Sequence, residues 1–295
     1  GYLSGAGFQR FTTTAHFIAE VVASHSRRVL VTCYAGRGDD GSGVRERIRG
    51  GCGGGFRELS GVPPHDAAAG INSDALHVLV DTTGYTLSPL VHVLSRRPAP
   101  VQIHWHGYPG TMGGLITDYY AGDAVSAPPE HRAQFAESLL VLPLPYLANS
   151  HPVSRREACA PRSPPLTRGE VFSGAVADSD VVFAIFAQAY KITADVFSTW
   201  VDAVNAAPRA KLWILAHNQD SVHSITASAE AFGLAPGKLV FTGLIERSKE
   251  MEAKALADVA LDTPLFSAHT TGVDALWAGL PLLTYGGEAL ATRVG

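Results

Sequence analysis

Short apolar runs rich in β-branched residues recur along this chain, separated by helix-like segments, and that alternation constrains the fold more than any other feature. It is the pattern of a parallel sheet built from β-α-β units. In the first half the strand candidates are Arg28–Tyr34, Leu76–Asp81 and Val101–Trp105, each followed by glycine-containing turns. In the second half they are Val181–Phe186, Lys211–Ala216, Lys238–Thr242, Val259–Leu261 and Pro281–Thr284. Helices are expected over Ala15–Ser24, Ala194–Ala206, Ser221–Phe232, Arg247–Ala257 and Gly272–Ala278. Asp195 falls in a first turn, where a carboxylate suits the helix dipole, and Gly233 and Gly279 follow helix ends as C′ glycines do.

At roughly 150 residues per domain, 295 residues make about two domains. The expected division is an N-terminal Rossmann-like lobe over 1–149, a proline-rich linker over 150–174, and a C-terminal lobe over 175–295. Four prolines, Pro152, Pro161, Pro164 and Pro165, mark the linker. Charged residues make up 17% against a usual share of about a quarter, and apolar residues 46%, which excludes wholesale disorder. Net charge is −4 with no basic block, so no nucleic-acid partner is expected. The apolar stretches around Leu139–Ala148 and Val181–Ala189 are far shorter than the ~20 residues that span a bilayer, and no membrane partner is expected. Cys33, Cys52 and Cys159 lack C-x-x-C spacing, so neither a disulfide framework nor a zinc site is indicated; a reducing compartment, cytoplasmic or nuclear, fits. The start at Gly1-Tyr2-Leu3-Ser4 has no initiator Met or signal pattern, and Glu288–Val294 reads as a first helical turn that stops. A fragment with an incomplete C-terminal lobe is therefore expected.

Several motifs carry chemistry. Gly36-Arg-Gly-Asp-Asp-Gly41 matches a dinucleotide fingerprint in form, but Asp39 and Asp40 would place negative charge in a phosphate cradle and no helix is evident at the third glycine. An acidic turn is expected there, and a flexible loop over Gly50–Gly55. Gly107–Gly114 follows a strand at the end where open α/β sheets bind ligands. His104 and His106 share a strand face, with packing or hydrogen-bonded core roles as the plainer alternative. His77 lies within a strand candidate and is open to a structural or a catalytic role. Lys191, where a strand runs into a helix, can meet a phosphate as a point charge or sit solvated. His269-Thr270-Thr271-Gly272 leads from a strand into a helix whose free N–H groups and positive end suit an anion, diphosphate above all. Asp274, one turn in, can accept from ribose hydroxyls or serve the helix itself. A second helix start is expected at Gly286–Arg293.

The runs Gly107–Thr111, Gln188–Lys191, Leu261–Gly279 and Gly287–Arg293 resemble, in content and order, the catalytic region of the O-GlcNAc transferases, and the resemblance covers essentially the whole chain. SPINDLY-type O-fucosyltransferases share this architecture. The resemblance implies an α/β GT-B glycosyltransferase with two Rossmann-like domains, the C-terminal one holding the donor. It implies inverting transfer of N-acetylglucosamine from UDP-GlcNAc to Ser or Thr of intracellular proteins, without a metal or other cofactor, and tetratricopeptide repeats upstream. By motif, Lys191 would neutralise the departing diphosphate and Gln188 would contact the nucleotide. Thr270, Thr271 and Gly272 would hold the phosphates, His269 would lie beside sugar and diphosphate, and Asp274 would bind ribose. His77 matches a histidine near the acceptor side. The family's uracil-contacting Lys, His and Arg fall on Arg247, Glu250 and Ala253, so that only Arg247 keeps its charge, with Lys254 a partial substitute. Around Phe11-Thr-Thr-Thr14 the family's first histidine is missing and only His16 is kept. A fucose-transferring enzyme and a catalytically inactive nucleotide-sugar-binding scaffold are the competing expectations.

Overall fold

The computed structural model describes residues 1–151 and 165–295, the side chains of residues 247 and 248 excepted. The chain forms two compact units, Gly1–Val153 and Ser154–Gly295. Most of the stretch expected as a linker, together with Cys159, lies outside the described residues.

In the first unit, seven strands form one sheet: β1 (Tyr2–Ser4), β2 (Thr32–Ala35), β3 (Gly55–Glu58), β4 (Val78–Asp81), β5 (Val101–Trp105), β6 (Tyr119–Asp123) and β7 (Ser138–Leu142). Their order is β3-β2-β1-β4-β5-β6-β7 and every neighbour is parallel. Alternate residues of the central strands serve opposite layers. Tyr2, Cys33 and Ala35 pack with Phe17, Ile18 and Val22 of α1 (Thr13–Ser24) and Ile48 of α2 (Gly43–Gly51). Leu3, Tyr34 and Leu79 pack with Ile71 of α3 (Pro64–Ser73) and Val93 and Leu94 of α4 (Val91–Leu94). Strand order reverses between β1 and β4, the switch point where the ends of such sheets leave a crevice.

The second unit repeats the plan with β8 (Val181–Ile185), β9 (Ala210–Leu215), β10 (Leu239–Thr242), β11 (Val259–Leu261) and β12 (Leu282–Leu283), in the parallel order β10-β9-β8-β11-β12. On one face, Val182, Ala184 and Trp213 pack with Phe172 of α5 (Arg168–Phe172). On the other, Ile185, Leu212 and Ile214 meet Phe197, Trp200 and Val201 of α6 (Ala194–Ala206) and Ile225 of α7 (Gln219–Ala231). Two further helices, α8 (Arg247–Lys254) and α9 (Thr270–Trp277), flank β11, with Ala275 of α9 in the Trp213 core. Here the switch point lies between β8 and β11.

Several expectations are corrected. A helix, α2, opens at Gly43 just past the acidic turn, its buried residues being Arg45 and Ile48. Arg45 is fully buried, donating to the carbonyls of Gly7 and Arg37 and to Glu58 Oε2. Gly50 and Gly51 end that helix and Gly55 starts β3, so no long loop lies there. Helix α5, with a Thr167–Glu170 capping box, occupies part of the expected linker. Cys33 and Cys52, distant in sequence, lie with their buried thiols 2.7 Å apart and are free cysteines, in keeping with the expectation of no disulfide framework.

Gly107 is required by close approach: a Cβ there would stand 2.3 Å from the Thr82 carbonyl oxygen and 2.8 Å from Thr83 Cα, both backbone atoms. Gly107→Ala is expected to destabilise the first unit by about 1–3 kcal/mol through overpacking. Calorimetry should show a lower transition for that unit and an unmoved one for the second; no shift would contradict the packing account.

Candidate functional site

The strongest constellation stands at the switch point of the second unit. Beyond β8 the chain passes Phe186 and an exposed Gln188, then makes one 3-10 turn over Ala189–Lys191 that ends with the lysine. Lys191 is partly buried, and its Nζ lies 3.9 Å from the centroid of the Phe266 ring. Phe266 belongs to the loop after β11, and on the same ring His269 is stacked at 4.9 Å with planes 26° apart. His269 caps the start of α9. Two parallel strands running side by side thus bring Lys191 and the head of α9 to one wall, although about eighty residues separate them in sequence.

At that head, the amides of Gly272 and Val273 turn back to the His269 carbonyl at 3.0 and 3.2 Å, while those of Thr270 and Thr271 have no backbone acceptor among the described residues. Gly272 is buried, and a Cβ on it would press on Ala268 and Leu282 at 3.1 and 3.3 Å; its plain role is close packing of α9 against β12. His269 Nδ1–H donates to the Ser267 carbonyl at 2.8 Å, which leaves the lone pair on Nε2, an atom that is buried without a hydrogen-bond partner. A buried acceptor of this kind can take a donor from water or from a ligand. Burial lowers the His269 pKa to about 4; the Ser267 carbonyl opposes this and the Lys191 charge adds to it. Burial also lowers Lys191, with the Asp262 carboxylate partly restoring it.

Asp262, directly after β11, is a residue that motif reading passed over. Its Oδ1 accepts from the amides of Thr263 and Ala268 at 2.7 and 2.6 Å, and its Oδ2 from Thr284 Oγ1 at 2.6 Å. Burial raises its pKa against these donors and Lys191. His217, after β9, is a second omission: its Nε2 is also buried and unpartnered, beside a pocket of about 510 Å³ lined by Asn218, Val222, Phe241 and Leu244. Nothing but its position after a strand signals it in the sequence.

Asp274 is engaged by a buried lysine. Lys254 Nζ, from α8, donates to Glu250 Oε1 at 2.7 Å and to Asp274 Oδ2 at 3.1 Å, and lies 5.1 Å from the Phe186 ring. Lys254 is therefore enclosed in ion pairs rather than free to substitute for a base contact. Arg247 opens α8, but its side chain lies outside the described residues. The second expected helix start, at Gly286–Arg293, makes only a 3-10 turn over Leu290–Thr292, which buttresses the site loop through the Ala291 carbonyl and Ser267.

In the first unit, the same end of the sheet holds a buried Asp81–His104 pair. His104 Nδ1 donates to Asp81 Oδ2 at 2.9 Å and Nε2 to the Tyr108 carbonyl at 2.8 Å. Burial opposes the imidazolium, but the Asp81 carboxylate and the Tyr108 carbonyl outweigh it and the pKa is raised. Both nitrogens are occupied, so His104 fixes the Gly107–Gly114 loop rather than exchanging protons. Buried Glu137 holds that loop from beneath, accepting from Thr111 Oγ1 and the Met112 amide at 2.7 and 2.6 Å. His106 lies against Phe17, ring centroids 3.8 Å apart and planes tilted by 35°, with a positive φ of 85°. His77 stands elsewhere: β4 begins one residue later, at Val78, so His77 is exposed at the N-terminal edge of the sheet, away from Asp81 and the crevice. Among the described residues no group of three or more His, Cys, Asp or Glu is arranged to hold a metal.

Two doubly wound parallel sheets in one chain make the α/β GT-B fold, the fold of glycosyltransferases. The chain belongs to glycosyl transferase family 41, whose model matches residues 1–156 and 159–295. It is 32% identical, over 95% of its length, to the probable UDP-N-acetylglucosamine–peptide N-acetylglucosaminyltransferase SEC of Arabidopsis thaliana, and 31% identical, over 82%, to the SPINDLY protein of Solanum lycopersicum. It spans 28% and 25% of those relatives' lengths. The O-GlcNAc transferase structure of Thermobaculum terrenum superposes with a TM-score of 0.83 at 25% identity, covering 99% of this chain and 54% of that one. HepE of Anabaena, solved with UDP, shares the fold at a TM-score of 0.57 and 12% identity, covering 95% of this chain and 79% of its own.

The neutral His269 has a consequence for stability. The unfolded imidazole titrates near 6.5 and the folded one near 4, so between those values only the unfolded chain takes up the proton. Stability is lost as pH falls through that window, on the order of 3 kcal/mol in all. Thermal melts of wild type and His269→Gln between pH 6.5 and 4 should show a shallower decline for the variant; parallel declines would mean that the imidazole is not held neutral.

Proposed function

We propose that this chain is the catalytic region of a protein O-GlcNAc transferase, moving N-acetylglucosamine from UDP-GlcNAc to Ser or Thr hydroxyls of intracellular proteins in the cytoplasm or nucleus. The observation that carries the reading is the shared wall of Lys191, His269 and the Thr270–Thr271 amides at the end of β8 and β11. It is supported by family membership and by what its Arabidopsis and Thermobaculum relatives are named for. In the reaction, the acceptor oxygen attacks C1 of the sugar from the face opposite UDP, with inversion. The bond from C1 to the diphosphate oxygen breaks, UDP leaves with the electron pair, and the acceptor proton passes to a base. Charge grows most on the departing diphosphate, where a pre-set ammonium and helix amides act most strongly. Lys191 neutralises it, Thr270 and Thr271 hold its oxygens, and His269 Nε2 accepts from a donor hydroxyl or amide. Asp274 takes the ribose, with Gln188 and Arg247 on the nucleotide side. The reading gives no metal or cofactor a part, and places tetratricopeptide repeats upstream for acceptor selection.

A second reading, a nucleotide-sugar-binding protein without turnover, is favoured by one observation: His77 is exposed at the far edge of its sheet, leaving no base assigned on the acceptor side. The two are separated by incubating the full-length protein with labelled UDP-GlcNAc and acceptor proteins. Multiple turnovers are expected, and Lys191→Ala should lower the rate roughly 10²–10³-fold. Binding without transfer would favour the second reading. Greater thermal stabilisation by GDP-fucose than by UDP-GlcNAc would assign the donor to the fucose branch.

A further inference from the structure

The loop between β11 and α9 carries both rings against which Lys191 rests or acts, and it is closed by a single carboxylate. Asp262 is nine-tenths buried, a costly place for a charge unless donors surround it. Its two oxygens divide the task. Oδ1 receives the amides at both ends of the loop, Thr263 and Ala268, and so fixes the span between them. Oδ2 receives Thr284 Oγ1 from the end of β12, which ties the loop to the sheet. Within the loop Thr263 Oγ1 donates to the Phe266 carbonyl at 2.8 Å, so the backbone that bears the ring is held from the same corner. The ring then lies 3.9 Å from Lys191 Nζ on one side of the contact and stacks with His269 on the other. Ala268, whose amide Asp262 holds, is the residue immediately before that histidine.

We propose that Asp262 is a positioning residue for the transfer reaction: by closing the loop it sets the Phe266 ring against the Lys191 ammonium and His269 at the head of α9. The proposal rests on the diphosphate role given above to Lys191. An ammonium on an aromatic face is attracted by the ring quadrupole, most strongly where water is partly excluded. Lys191 is thereby held near the leaving group before the donor arrives, and the ring adds no full negative charge to that of the nearby Asp262, whose oxygens are taken by its three donors.

The test has a readout that needs no turnover. With Lys191 assigned by NMR in the full chain, its ε-methylene protons should be shifted upfield by the Phe266 ring. That shift should persist in Phe266→Tyr and vanish in Phe266→Leu. It should also collapse in Asp262→Ala, and be largely restored in Asp262→Asn, whose amide oxygen can still accept from Thr263 and Ala268. Should Asp262→Ala fail to fold, Thr284→Val, which removes only the Oδ2 tie, takes its place and should give a partial loss. In the transfer assay, Phe266→Leu and Asp262→Ala are expected to lower kcat about 3- to 30-fold with a smaller change in donor KM, and Phe266→Tyr to recover it. A folded Asp262→Ala or Thr284→Val that keeps the full ring shift would overturn the proposal. Loss of the ring shift in Asp262→Ala, with a wild-type chain that shows the shift but transfers no sugar, would leave Asp262 as the residue that sets Phe266 against Lys191 and remove the transferase reading alone.

Discussion

A lysine ammonium and the amide-lined head of a helix face one place because β8 and β11 are neighbours running in the same direction. Everything chemical in the second unit depends on that adjacency. A parallel sheet places every strand's C-terminal end at one edge, and the reversal of strand order opens a gap between the two loops leaving it. The loop after β8 delivers Lys191, the loop after β11 delivers Phe266 and His269, and α9 follows with its positive end toward the gap.

Burial sets the electrostatics of that edge. Lys191 and His269 are both moved toward their neutral forms by burial, and the imidazole, lowered to about 4, is an acceptor at neutral pH. That edge then offers a lysine side chain, two backbone donors and a lone pair, the four features on which the proposed sugar-diphosphate role rests. The negative groups nearby are balanced by donors: Asp262 by three, and Glu250 and one oxygen of Asp274 by the buried Lys254.

Much of this was legible in the sequence, and the exceptions have physical causes. Strands β5 and β11 and helix α6 match their expected bounds, because buried parallel strands and a one-sided helix leave strong apolar patterns. Strand β1 is only three residues long, β3 is an edge strand with half-exposed and charged positions, and β6 and β7 break their apolar runs with Gly122, Asp123 and Ser138. Helix α2 hid because its main inward residue is an arginine, whose burial is made possible by carbonyls and a carboxylate from three other segments. Lys191 and the His269–Gly272 run could be placed because each sits in a local strand-to-helix junction. Asp262 was inside a motif that could be read, yet its role depends on donors from β12 and from both ends of a loop, which spacing does not reveal. His77 shows the opposite case: the strand begins at Val78, two residues after the expected Leu76, and leaves the His77 side chain exposed at the rim of the sheet.

The central claim is that an anion is received jointly by Lys191 and the head of α9, and an NMR titration of the isotope-labelled chain with UDP addresses it directly. The account predicts that the Thr270 and Thr271 amide resonances and the Lys191 side-chain signals move together, saturating at one common affinity, with the Gly107–Gly114 loop little changed. Saturable shifts confined to other edges of either sheet, with those amides and that lysine silent, would contradict it.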